Sequence, residues 1–115
     1  MRRMNYNTFE KPFASGELSK EGGLHFTLDK PLEEGSYLFE VVEEDVATNE
    51  IYNYTGVIKI DHSKEMGSEF YGQAYNYGVY ISPLTDKNIL KVNLLNNYEI
   101  DTLTYSYTIY IYKIA

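Results

Sequence analysis

The chain has 115 residues, with 17 acidic against 10 basic side chains, a net charge of −7 and no cysteine. This length fits a single domain spanning 1–115 that can fold on its own core. The missing cysteine excludes a disulfide framework, thiolate metal sites and cysteine catalysis. The only arginines are Arg2 and Arg3, and no lysine cluster supplements them, which argues against nucleic-acid binding.

In chain order, the first seven residues hold two arginines and no apolar run. No signal peptide is therefore expected, and the chain is expected to be made in the cytoplasm. No stretch reaches the roughly 20 apolar residues of a membrane helix, so no membrane partner is expected. Residues 7–23 offer one or two short strands punctuated by Pro12, Gly16 and Gly22-Gly23. From 24 to 28, Leu24, Phe26 and Leu28 alternate with His25 and Thr27, the period of a strand with one wet face.

A charged Pro- and Gly-containing loop over 29–35 leads to "SYLFEVVEE", in which Tyr37, Phe39 and Val41 share one face and Leu38, Glu40 and Val42 the other. After a turn at "DVATNE", residues 51–60 form a long strand with Tyr52, Tyr54, Ile58 and Ile60 on one side. A second loop follows at 61–67. Residues 69–81 have strand composition but are expected to break or bulge at Gly72 and Gly78. The chain turns again over 82–88, alternates Leu90, Val92 and Leu94 with Lys91 and Asn93, reverses at "NNYEID", and closes with a strand from Thr102.

Seven to nine short strands with no helix between them predict an all-β fold, an antiparallel β-sandwich or jelly roll, with a small barrel as the second option.

The residues that could carry chemistry are few. His25 and His62 show no metal-ligand spacing and read as surface histidines. No Gly-x-Ser-x-Gly elbow and no phosphate-cradling glycine loop is present. Glu40, Glu69 and Glu99 could supply a glycosidase-like carboxylate pair, but Glu40 reads as an outward residue and the other two as residues near loops. The group Glu43, Glu44, Asp45, Asn49 and Glu50 lacks the Ca²⁺-loop pattern and reads as a solvated acidic turn. No catalytic residue, metal or cofactor is therefore assigned, and the protein is expected not to be an enzyme.

Thirteen tyrosines stand out more than any of these, nine of them between Tyr71 and Tyr112. In the closing strand Tyr105, Tyr107, Ile109 and Ile111 fall on one face. Tyr110, Tyr112 and Ile114 make the other face apolar as well. A strand apolar on both sides must be covered on both, and the sequence assigns Tyr110, Tyr112 and Ile114 to an interface with another copy of the chain. A second group, Tyr71, Tyr75, Tyr77 and Tyr80, is a candidate surface for stacking sugar rings. A third option is an inhibitor- or immunity-type protein using an acidic face of Glu33, Glu34, Glu43, Glu44 and Asp45.

The segment "YNYTGVIKI" followed by "EFYGQAYNYGVYI" resembles a run near the C-termini of phage fibre tips, here carried by Gly56, Val57, Ile58, Gln73, Tyr75 and Tyr80. It covers about a quarter of the chain, and Ser82-Pro83 stand where that run often ends in arginine. Together with the acidic, cysteine-free composition, it resembles the small structural proteins of bacteriophage virions: head-fibre, decoration and tail-fibre tip domains. The resemblance implies a virion location, homo-oligomeric assembly as a trimer, capsid or tail proteins as partners, and attachment to a host-surface glycan.

Overall fold

Period-2 alternation gives eight strands and no helix among the residues that the computed structural model describes, which are 11–61, 63, 69–82 and 86–114. The polar N-terminal segment, His62 and Pro83 lie outside them. The strands are β1 (Ala14–Ser19), β2 (His25–Leu28), β3 (Gly35–Asp45), β4 (Ile51–Ile60), β5 (Phe70–Ala74), β6 (Tyr77–Ile81), β7 (Ile89–Leu94) and β8 (Tyr105–Lys113).

All neighbours are antiparallel, and they form one sheet in the order β4-β3-β8-β1-β2-β7-β6-β5. The sheet curls until it is nearly closed, so the architecture is barrel-like. Inward residues from every strand fill it: Ala14, Phe26, Tyr37, Phe39, Val41, Ile58, Phe70, Ala74, Tyr77, Val79, Ile81, Leu90, Ile109 and Ile111 are all buried. On β8 the inward face is the expected one, with Tyr107, Ile109 and Ile111 buried and Tyr105 packed against them.

Edge strands β4 and β5 meet through glycine. A Cβ on Gly56 would lie 2.3 Å from the Gln73 carbonyl oxygen, and one on Gly72 would lie 2.6 Å from that of Val57. Those two Cβ positions would also meet the ring of Phe39, at 2.7 and 2.8 Å. Only glycine lets the two backbones approach this closely over a buried ring. Gly72 and Gly78 therefore lie within strands, and the expected break falls between them, at Tyr75-Asn76. Tyr75 takes a φ of +52°, an uncommon backbone for an aromatic residue.

Three connections seal one end of the barrel: the β3–β4 turn, the β5–β6 turn and the loop 95–104. Val46 N–H donates to the Thr104 carbonyl at 2.9 Å, and Asn96 Nδ2 donates to Asn76 Oδ1 at 3.0 Å. In that loop Asn96 and Asn97 both have positive φ and Tyr98 N–H returns to the Leu95 carbonyl at 3.1 Å, the geometry of a type I′ turn. The closing strand begins at Tyr105 rather than Thr102, because the Asp101 carboxylate accepts the N–H groups of Leu103 and Thr104 and holds them in a turn. Leu103 is left 91 % exposed.

Candidate functional site

On β1, β2, β7, β6 and β5 the core takes one side chain of each alternating pair, so the other projects outward. The register aligns five of these outward residues in a straight row across the wall: Ser19, His25, Lys91, Tyr80 and Tyr71. Side chains directly opposite in an antiparallel sheet stand close enough to touch. Tyr71 and Tyr80 accordingly stack, with ring centroids 5.2 Å apart and planes at 23°. Tyr71 remains 58 % exposed, so a broad ring edge and face stay open to solvent.

Three concavities surround this pair. One of about 500 Å³ is lined by Tyr80, Lys91, His25, Ile89 and the side-chain-free Gly22-Gly23 turn. Its volume falls in the ordinary range of small-ligand sites, about 300–1,000 Å³. There His25 Nδ1 donates to the Gly23 carbonyl at 2.8 Å, which leaves Nε2 as the nitrogen for a ligand. A second concavity, of about 260 Å³, lies between Tyr71, Gln73, Gly78 and Asn93. The third, of about 370 Å³, is bounded by Lys59, Asp61, Glu69, Phe70 and Tyr71. In it the Ser63 hydroxyl and N–H hold the Asp61 carboxyl below the usual carboxylate range. An exposed aromatic face beside amide, ammonium and imidazole groups can stack a flat apolar ring face and hydrogen-bond its rim.

The four tyrosines assigned to stacking do not form one surface. Tyr71 and Tyr80 belong to the row. Tyr75 is 64 % exposed but sits at the sealed end, stacked on Tyr54 with centroids 5.2 Å apart. Tyr77 is a correction: it is fully buried, because the turn at 75–76 places it inward, opposite Ala74 on one side and Leu94 on the other.

The residues assigned to a copy interface also separate. Tyr112 is only 4 % exposed in the single chain, so its own chain, not a neighbouring copy, supplies its cover. Tyr110 is half-buried between Glu40 and Ser15, and Ile114 is 44 % exposed.

Glu43 is a second correction, since it does not belong to any acidic face. It points inward from β3, between Tyr52 and Tyr107, and is 3 % exposed. The hydroxyls of Tyr77 and Tyr98 both donate to its Oε2. Burial, followed by the hydrogen bond to Glu43, pushes both phenols well above their ordinary pKa. This cluster ties β3 and β6 to the loop 95–104. The signal was present in the sequence: continuing the Tyr37, Phe39, Val41 alternation by one step reaches Glu43.

Glu40 does lie on the outer face, as expected, but it is fully buried there and accepts a hydrogen bond from Asn53 Nδ2. Glu69 and Glu99 are exposed, on β5's leading end and in the loop 95–104. In the acidic turn, Asp45 accepts the N–H groups of Ala47 and Thr48 at 2.9 and 3.1 Å. Among the described residues, no three His, Asp or Glu side chains come together as a metal-holding group.

Compared with known proteins, the chain matches no family model, no curated protein and no solved structure.

Proposed function

We propose that this protein is a non-enzymatic attachment module that binds a saccharide on the outer face of β5, β6, β7 and β2. The observation that carries the reading is the Tyr71–Tyr80 stack, held on hydrogen-bonded strands beside a concavity with Lys91 and His25 in its wall. Sites on strands are pre-organised, so little ordering cost opposes a modest ligand. The phage resemblance extends this reading to a virion accessory protein, a head-fibre, decoration or tail-fibre tip domain that holds a particle to a host-surface glycan. The same reading takes the nearly closed sheet as a flattened sandwich of jelly-roll kind, supported by β8 lying between β3 and β1 and β7 between β2 and β6.

Assembly into homo-oligomers is a second reading, favoured by one feature. The sealed end exposes Val46, Ile51, Tyr52 and Leu103 by 40 to 91 %, a concentration of apolar side chains that suits a protein contact. A glycan array tests the first reading: hits abolished by Tyr71→Ala support it, and an array with no hits rejects it. A native mass measurement tests the second, and a monomer at micromolar concentration rejects it.

A further inference from the structure

Resting on that saccharide reading, we infer that the preferred ligand carries an anionic substituent, with a sugar ring on Tyr71 and Tyr80 and the anion on Lys91. The row across the wall gives the dimensions. Strands lie about 4.8 Å apart, so Lys91 stands about 10 Å from Tyr71 and His25 about 14 Å from it. Two linked pyranose rings span that distance.

Charge sets the direction. The chain as a whole carries −7, and long-range attraction therefore disfavours anions. Yet Lys91 lies in the wall of the concavity of about 500 Å³ and has no carboxylate within ion-pair distance among the described residues. Beyond it, His25 offers Nε2, with Nδ1 already committed to the Gly23 carbonyl. At the opposite end of the row, Asp61 and Glu69 stand beside Tyr71, with Lys59 as the one cation among the described residues that line that hollow. An anion at that end meets like charge. A ligand with its rings on the tyrosines therefore has one favourable orientation, anion toward Lys91.

The test is titration calorimetry with a neutral tetrasaccharide (maltotetraose), tetragalacturonate and a sulfated tetrasaccharide. An anionic ligand is expected to bind about tenfold more tightly than the neutral one, the size of one charge-assisted hydrogen bond. Preference for tetragalacturonate alone identifies a carboxylate, and preference for the sulfated sugar alone identifies a sulfate. Lys91→Met should erase the preference, bringing the anionic ligands down to the affinity of the neutral one, while Lys91→Arg should keep it. Equal affinities in the native protein, or a preference that survives Lys91→Met, overturn the inference and leave the saccharide reading standing. Binding to none of the three, joined with an empty glycan array, overturns both.

Discussion

The hydroxyl of Tyr98, carried by the loop 95–104, donates a hydrogen bond to the buried carboxylate of Glu43 on β3. Tyr77 donates to the same oxygen from the start of β6. A carboxylate in this position is satisfied by neutral donors, and removing it takes away the acceptor that two buried hydroxyls share. Glu43→Ala should therefore cost about 3 kcal/mol or more, combining unsatisfied donors with a cavity. Glu43→Gln keeps the volume and one acceptor and should cost about half as much. Urea denaturation of the two variants checks the ranking.

The same cluster predicts alkaline sensitivity. Tyr77 and Tyr98 have folded-state pKa values raised by burial and by Glu43. An unfolded tyrosine ionises near pH 10. Above that pH the unfolded chain holds fewer protons than the folded one, so stability is full below about pH 10 and falls as pH rises beyond it, by about 1.4 kcal/mol per pH unit for Tyr77 alone. Thermal melts across this range should show the midpoint dropping, and Tyr77→Phe should flatten the slope.

Closing the barrel at β4 and β5 depends on two missing side chains. Gly72→Ala would set a methyl group 2.6 Å from the Val57 carbonyl oxygen and 2.8 Å from Phe39 Cε1. The backbone cannot yield as a side chain could, and a loss of about 3 kcal/mol is expected. A Phe39→Leu change combined with Gly72→Ala should recover little, since the carbonyl clash remains. Chemical denaturation of the single and double variants measures this.

Tyr71 and Tyr77 were grouped by sequence and should behave oppositely. Tyr71→Ala removes a 58 % exposed ring and should change stability by less than about 1 kcal/mol while removing saccharide binding. Tyr77→Ala empties a core position and should cost about 3–5 kcal/mol. Melting curves read beside glycan titrations separate the two effects.

Tyr112 offers a test of where the aromatic excess of β8 goes. Because it is covered within one chain, Tyr112→Ser should lower stability by about 3 kcal/mol without changing the native mass. Substituting Leu103 and Val46 by Asp at the sealed end should leave stability nearly unchanged, and should lower the mass if copies associate there.

The strands and their inward faces were legible because alternation is a local property: Leu24, Phe26 and Leu28, or Tyr107, Ile109 and Ile111, need no tertiary information. Closure was not legible. A glycine inside a strand pattern reads as weakness, and nothing local distinguishes a bend from a place where another backbone passes within contact, as at Gly56 and Gly72. The misplaced turn had a further effect. An aromatic residue at positive φ is unexpected, so the turn at Tyr75-Asn76 was invisible, and with it the switch that sends Tyr77 inward while Tyr71 stays outside. Glu43 was hidden by its neighbours, since a run of acids reads as solvated even when one member continues the apolar period. The row from His25 to Tyr71 spans four strands and is set by register, which no single segment encodes.

The wall is laced by hydrogen bonds everywhere except along the line between β4 and β5, where two glycine-bearing ribbons merely rest on each other. A cylinder with one unstitched side parts there first. Solvent exchange of main-chain amides should be fastest along that line, while Tyr71, on the strand beside it, keeps its place through the pairing of β5 with β6.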